Sequence, residues 1–162
     1  VYPVFCVRLD LARMAEAEKF GQGFAVVEVL AAVMLDWAWH SLAAGEEPGD
    51  AKAFEEAALK HYGLLIPELP PRYRSSYFSH IWGNGYAAGY YSYLWSEVLD
   101  KDTVDWFKDG VAAGRSIRES GELFRRSVLS RGGSVDLMAA FAEFRGRAPE
   151  VEPMLRARGL AS

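Results

Sequence analysis

The sequence predicts an all-α fold of about seven helices. Segments rich in Ala, Leu, Glu, Lys and Met, which favour helix, recur along the 162 residues. Clusters of Gly and Pro separate them, and no strand-length alternation of apolar and polar residues stands out. Because no internal repeat or low-complexity linker is visible, the pattern predicts one helical unit.

The first three helices follow from composition and capping. Residues 8–19 consist largely of helix formers, and the Gly21-Gln22-Gly23 segment ends them. Residues 24–43 are apolar almost all round, which predicts a helix lying deep between other elements. A loop follows, and Asp50 is a candidate N-cap for an amphipathic helix over residues 51–62.

The middle of the chain is less regular. Residues 64–71 contain three prolines within five positions, which excludes a regular helix. Residues 72–85 form the most aromatic segment of the chain. Two helices are predicted after it, over residues 86–100 and 102–109.

Gly and Ser residues define the last helices. A helix is predicted over residues 117–129 and ends at the Ser-Arg-Gly-Gly segment that follows. Ser134 is a candidate cap for a helix that extends to about Phe144, and a final helix is predicted over residues 150–158.

Composition excludes several functional classes. A formal net charge of −4 argues against a nucleic-acid binder that relies on a basic surface. A single cysteine excludes an internal disulfide framework and favours a reducing compartment, the cytoplasm rather than a periplasm-like space. Glu28 and Asp36 interrupt the most apolar segment, so no membrane span or membrane partner is expected. The N-terminus lacks the features of a signal peptide.

The few candidate metal ligands are scattered. His40, His61 and His80 stand far apart, and no H-E-x-x-H motif is present. A zinc site assembled from His40, His61 and glutamates remains an alternative. The Gly83-Asn84-Gly85 turn does not fit a phosphate-binding loop, because no strand precedes it and no lysine follows.

Three tyrosines carry the clearest functional pattern. Tyr86, Tyr90 and Tyr93 are spaced i, i+4 and i+7, which predicts three phenols on one helix face. One interpretation is a half-buried core whose hydroxyls are satisfied. The other adds His80, brought over the same face by the glycine turn, and gives a donor cluster that stabilises a carbonyl oxygen as it gains negative charge. For His80 alone, a hydrogen-bonded structural histidine is equally compatible with the sequence.

The aromatic segment also resembles a known family. The string RYRSSYFSHIWGNGYAAGYYSYLWSEVLD, residues 72–100, resembles the C-terminal part of the thimet-oligopeptidase family of zinc metallopeptidases. The bacterial peptidyl-dipeptidase and oligopeptidase A branch is the most similar. Residues 20–40, 123–149 and 153–160 agree with that branch in collinear order. The resemblance covers about residues 16–160 and implies a mostly helical fold with a cleft for short peptides. Residues 1–15 are therefore a divergent N-terminal segment, and 16–162 a C-terminal helical subdomain.

The resemblance implies roles for six residues. His80 corresponds to the histidine that contacts the substrate backbone, Tyr86 to the tyrosine after the glycine-rich loop, and Tyr93 to the phenol that reaches the oxygen of the tetrahedral intermediate. These three are the candidate catalytic residues. The candidate substrate-binding residues are Tyr90, Gly83 and Gly85.

The loop departs from the family pattern at one position. Gly83 and Gly85 correspond to the flexible glycines of the loop, but the position between them, usually glycine, is Asn84. Asparagine tolerates left-handed backbone angles, so the turn is expected to form with less flexibility.

The resemblance also implies a metal that this sequence does not provide for. The family holds zinc with the H-E-x-x-H histidines and a glutamate on the following helix, and none of these is present here. No cofactor is therefore expected in this chain. The predicted function is that of a peptidyl-dipeptidase or oligopeptidase fragment that acts on short peptides and is inactive alone. The alternative is a non-catalytic helical module for peptide binding or assembly.

Apolar surface is the last expectation from the sequence. If a zinc-binding N-terminal half normally covers this chain, the helix over Phe24 to Trp39, or the surroundings of Trp82 and Trp95, should expose apolar side chains. The expected partners are that half or, in its absence, another copy of the chain.

Overall fold

The computed structural model describes residues 4–162, with side chains from residue 10 onward. Residues 1–3, the start of the predicted divergent segment, lie outside this range. The described part contains eight α-helices and no β-strand, which confirms the all-α prediction. The helices are α1 Val4–Ala17, α2 Gln22–His40, α3 Ala51–His61, α4 Ser79–Gly83, α5 Ser92–Ala112, α6 Ile117–Phe124, α7 Leu137–Arg145 and α8 Glu152–Ala157.

The chain forms two compact units instead of the single unit predicted. The first extends to Tyr93, and the second comprises Leu94–Ser162. The boundary falls inside α5, so no stretch of linker composition marks it in the sequence. Residues 102–109, predicted as a separate helix, belong to the same continuous α5.

Local capping explains where several helices begin. The Asp50 carboxylate accepts a hydrogen bond from the Ala53 amide at 2.8 Å, which confirms Asp50 as the N-cap of α3. At the start of α7, the cap is Asp136 rather than the predicted Ser134, because the Asp136 carboxylate accepts from the Ala139 amide at 2.7 Å. The predicted helix over 117–129 forms α6 followed by a π-helical turn.

Helix α2 is less buried than its composition predicts. Its buried residues are Ala31, Ala32, Leu35 and Asp36. Phe24 and Trp37 are each 52% exposed. By length and apolar composition, α2 also meets the minimal requirement for a membrane-crossing helix, the only such helix among the described residues. Core helices of soluble proteins meet the same requirement, so this criterion alone decides nothing.

Each unit has its own aromatic core. In the first unit, Phe78, Ile81 and Tyr90 pack on Ala32 of α2. In the second unit, the rings of Trp106 and Phe124 lie 4.3 and 5.2 Å from that of Phe144, between centroids. The first core supports the segment that carries the predicted site.

Candidate functional site

The segment before α5 is a turn and not the helix that the tyrosine spacing predicts. Helix α5 begins at Ser92, so Tyr86 and Tyr90 precede it and only Tyr93 lies in it. Ala88 has a φ of +53°, which an α-helix cannot accommodate. The prediction of one helical tyrosine face is therefore wrong for Tyr86 and Tyr90.

The turn nevertheless brings the three phenol rings together. The Tyr86 and Tyr93 rings stack with centroids 5.5 Å apart and an interplanar angle of 17°. The Tyr90 ring lies 5.1 Å from that of Tyr93. Tyr90 is buried at 4% exposure, whereas Tyr93 is 47% exposed. Tyr90 therefore lies in the core, whereas the Tyr93 ring is open to solvent.

His80 lies beside all three tyrosines. It is the second residue of α4, and its ring centroid lies 5.4 to 6.4 Å from those of the three tyrosines. Its Nδ1 atom is buried and has no hydrogen-bond partner among the described residues. We use the name His80–tyrosine cluster for five residues: His80, Tyr73, Tyr86, Tyr90 and Tyr93.

Tyr73 is a member that the sequence pattern did not single out. Its ring lies 4.8 Å from the His80 ring and 5.9 Å from that of Tyr90, between centroids. It also stacks on the buried ring of Phe78 at 5.1 Å. The only sequence signal for it is the aromatic character of residues 72–85, since no periodic spacing connects it to the other tyrosines.

Two phenols of the cluster, those of Tyr90 and Tyr93, have pKa values raised above the ordinary value. A hydrogen bond with the Tyr86 hydroxyl, with some burial and the neighbouring phenols, raises the pKa of Tyr93 to about 12. Burial, together with nearby Tyr73, also raises the pKa of Tyr90, although a hydrogen bond and the charge of Arg72 oppose this. A neutral phenol is an O–H donor, so Tyr93 presents a partly exposed donor at neutral and mildly alkaline pH.

The glycine turn differs from its predicted form. Gly83 is the last residue of α4, and Asn84 has a φ of −116°, outside the left-handed region. Only Gly85 uses that region, with a φ of +78°. The Tyr86 amide then donates to the His80 carbonyl oxygen at 3.2 Å, which closes the loop between α4 and the tyrosines.

A buried carboxylate fixes the approach to α4. Glu55 of α3 accepts from the Ser75 amide at 2.8 Å and from the Ser75 hydroxyl at 3.0 Å, and it pairs with Arg74 at 2.8 Å. The Trp82 indole donates to the Ser75 carbonyl oxygen at 2.8 Å. These bonds join α3 to α4 and restrain the backbone on both sides of Phe78, next to His80.

The described residues offer no metal centre. No group of three His, Cys, Asp or Glu side chains within residues 10–162 is placed to hold a metal ion. His40, named in the alternative zinc site, instead lies with its Nδ1 2.8 Å from the Asp36 carboxylate. A cavity of about 730 Å³ occurs in the second unit, lined by residues between Ala113 and Arg126 and by none of the cluster.

The His80–tyrosine cluster supplies hydrogen-bond donors and aromatic surface. Such donors can stabilise an oxygen that gains negative charge.

The sequence that forms this fold matches a family of peptidases. Residues 8–160 match Peptidase family M3. The chain is 47% identical to the dipeptidyl carboxypeptidase of Escherichia coli (strain K12) over 148 residues, which cover 91% of this chain and 21% of that protein. It is 48% identical to oligopeptidase A of the same organism over 83 residues, which cover 51% of this chain and 12% of that protein.

A plant relative agrees with these two. The chain is 46% identical to a probable cytosolic oligopeptidase A of Arabidopsis thaliana over 97 residues, which cover 59% of this chain and 14% of that protein. The chain belongs to Peptidase family M3. It spans about a fifth of the length of the dipeptidyl carboxypeptidase that it matches.

Proposed function

We propose that this chain is the part of a peptidyl-dipeptidase or oligopeptidase that binds short peptides and stabilises the transition state. His80, Tyr86 and Tyr93 are the catalytic residues of this proposal. Tyr90, Gly83 and Gly85 shape the surface on which the peptide lies. The supporting observation is the exposed Tyr93 phenol, held neutral by Tyr86 and adjacent to His80.

The proposed chemistry of the cluster is electrostatic. When water attacks a peptide carbonyl, the carbonyl oxygen gains negative charge. The Tyr93 hydroxyl then turns from Tyr86 and donates its hydrogen bond to that oxygen, while His80 holds the peptide backbone. A single donor of this kind contributes about 10²–10³ in rate.

The residues present do not fit the zinc that membership of this family implies. The described side chains form no ligand group for it, and no step proposed here passes through a metal held by this chain. We propose that the nucleophile is activated by residues outside these 162. The isolated chain should then be inactive, because removal of the activated nucleophile costs more than loss of one donor.

A reconstitution assay tests this proposal. Cleavage of a fluorescence-quenched peptide is measured with added zinc, with the chain alone and with a separately supplied N-terminal half of the dipeptidyl carboxypeptidase. Activity only in the mixture is the expected result. Activity of the chain alone would contradict the proposal that residues outside it activate the nucleophile.

A non-catalytic module for peptide binding or assembly is the second candidate, favoured by the absence of a metal-ligand group among the described side chains. Peptide binding without cleavage in the reconstituted mixture would support it. We further propose a cytoplasmic location and no nucleic-acid or membrane partner. The name of the plant relative, a probable cytosolic oligopeptidase A, supports the location.

A further inference from the structure

A second buried carboxylate lies behind the His80–tyrosine cluster. Asp36, on α2, is only 2% exposed. Its side chain accepts hydrogen bonds from the Ala88 and Tyr90 amides, both at 2.9 Å. His40, one turn further along α2, places its Nδ1 2.8 Å from the same carboxylate. A carboxylate on α2 is thereby joined to the turn that carries Tyr86 and Tyr90.

These hydrogen bonds account for the shape of the turn. In a helix the Ala88 and Tyr90 amides would donate to carbonyl oxygens four residues earlier. Here both donate to Asp36, and Ala88 adopts a φ of +53° that a non-glycine residue rarely takes. Such a conformation costs about 1–3 kcal/mol and persists only where the surroundings fix it. The carboxylate of Asp36 is the group that fixes it.

We propose that Asp36 is a positioning residue, which holds the turn over residues 86–91 so that the Tyr86 ring stacks on that of Tyr93. The proposal rests on the proposed function for its biological meaning. It assigns Asp36 no contact with the peptide. His40 lies beside Asp36 from one helical turn away, with its Nδ1 2.9 Å from the Asp36 backbone carbonyl oxygen and 2.8 Å from its carboxylate.

The titration of Tyr93 provides the test, because its hydrogen bond with Tyr86 is the main cause of its raised pKa. Tyr titrations are followed in the full chain by NMR of ¹³C-labelled tyrosine side chains. Tyr86→Phe calibrates the method by removing the partner hydroxyl. We expect Asp36→Asn to act as Tyr86→Phe does and to move the Tyr93 pKa from about 12 towards its ordinary value of 10. The Ala88 and Tyr90 amides use different oxygens of the carboxylate, and an asparagine has a single acceptor oxygen, so one of the two amides loses its partner.

Asp102→Asn is the matched control. Asp102 is also a buried carboxylate with several hydrogen bonds, but its partners are Arg145, Arg147 and the Glu150 amide, all in the second unit. It should leave the Tyr93 titration unchanged. An unchanged Tyr93 pKa in folded Asp36→Asn, or an equal shift in Asp102→Asn, would overturn the proposal.

Amide hydrogen exchange in the unmodified chain decides the matter if Asp36→Asn does not fold. The Ala88 and Tyr90 amides lie outside the helices, and their hydrogen bonds are those to Asp36. Slow exchange at both is expected, and rapid exchange at either would overturn the proposal. Neither measurement uses a peptide, so this inference and the proposed function can fail separately.

Discussion

At the scale of single residues, the candidate site depends on one phenol. Tyr93 is the only tyrosine of the cluster that lies in a helix, and it is half exposed. Because its pKa is raised to about 12, the hydroxyl keeps its proton well beyond neutral pH. The hydroxyl therefore remains protonated at neutral and mildly alkaline pH. Its removal should raise the free energy of the transition state.

Replacement of Tyr93 by phenylalanine tests that role. In the reconstituted enzyme we expect Tyr93→Phe to lower kcat by about 10²–10³ and to change KM little, because the hydrogen bond strengthens mainly as the oxyanion forms. Steady-state cleavage of a quenched peptide measures both. Tyr91→Phe is the control, since Tyr91 is also exposed but lies outside the cluster. An unchanged kcat for Tyr93→Phe would remove Tyr93 from the mechanism.

The two loop glycines should respond differently to substitution. Gly85 has a φ of +78°, so Gly85→Ala should reduce the free energy of unfolding by about 1 kcal/mol or more. Gly83 ends α4 with ordinary backbone angles and open space around its Cα. Gly83→Ala should leave stability unchanged or raise it by less than about 1 kcal/mol. Urea unfolding of both variants measures this, and equal losses would contradict the assigned conformations.

At the scale of helices and turns, the sequence predicts the N-cap of α3 correctly but not the residue at which α5 begins. The cap at Asp50 follows from local chemistry, and the structure confirms it. The start of α5 does not, because Tyr86 to Tyr91 contain good helix spacing and no local stop signal beyond Gly89. The competing hydrogen bonds come from Asp36, more than 50 residues earlier in the chain. The spacing of residues within the segment cannot reveal an acceptor that lies so far away in the sequence.

The His80–tyrosine cluster was likewise predictable in part. The resemblance identifies His80 and the three tyrosines residue by residue, and the structure brings them together although the predicted helix face is absent. Tyr73 was not identified, since its place depends on stacking against Phe78 in the core. Residue types and order were therefore predictable, whereas the support for the site depends on tertiary contacts.

A buried ionic network joins α5 to the end of α7. The Asp102 carboxylate has no exposed surface and accepts from Arg145 at 2.8 Å and from Arg147 at 2.7 Å. Burial alone would raise the pKa of Asp102, but the hydrogen bonds from Arg147 and Arg145 outweigh it and lower the pKa. The ionised carboxylate is thus the form that stabilises the second unit.

Removing that charge should be costly and dependent on pH. We expect Asp102→Asn to reduce the free energy of unfolding by about 3 kcal/mol at pH 7, because two arginines lose their buried partner. A lowered pKa in the folded state contributes stability above the ordinary carboxyl pKa and loses it as pH falls through the folded-state value. The difference from the unmodified chain should therefore shrink at acid pH, which urea unfolding at pH 7 and pH 3 measures.

Asp109→Asn is the control for this comparison. Asp109 lies 3.8 Å from Arg145 but is 72% exposed, so its loss should cost less than about 1 kcal/mol. A cost for Asp102→Asn as small as that for Asp109→Asn, or a difference that does not vary with pH, would contradict a stabilising role for the buried charge.

At the scale of the whole molecule, the chain spans about a fifth of the length of the dipeptidyl carboxypeptidase that it matches, and it exposes large apolar side chains to solvent. In the first unit, Phe24 and Trp37 of α2 are exposed, and Trp82 is exposed too. In the second unit, Leu129 and Leu137 are also exposed. Exposed large apolar side chains are typical of an interaction site. We propose that the rest of the peptidase covers them and that the isolated chain covers them with a second copy.

Light scattering of the purified chain tests this proposal. The measured mass should exceed the 18.0 kDa of one chain and rise with concentration, because burial of apolar surface favours association. Phe24→Gln combined with Trp37→Gln should lower the association, whereas Lys52→Gln, at an exposed polar position of α3, should leave it unchanged. Addition of the N-terminal half of the dipeptidyl carboxypeptidase should replace the self-associated form by a one-to-one complex, since both partners compete for the same surface. A monomer at high concentration would contradict the proposal.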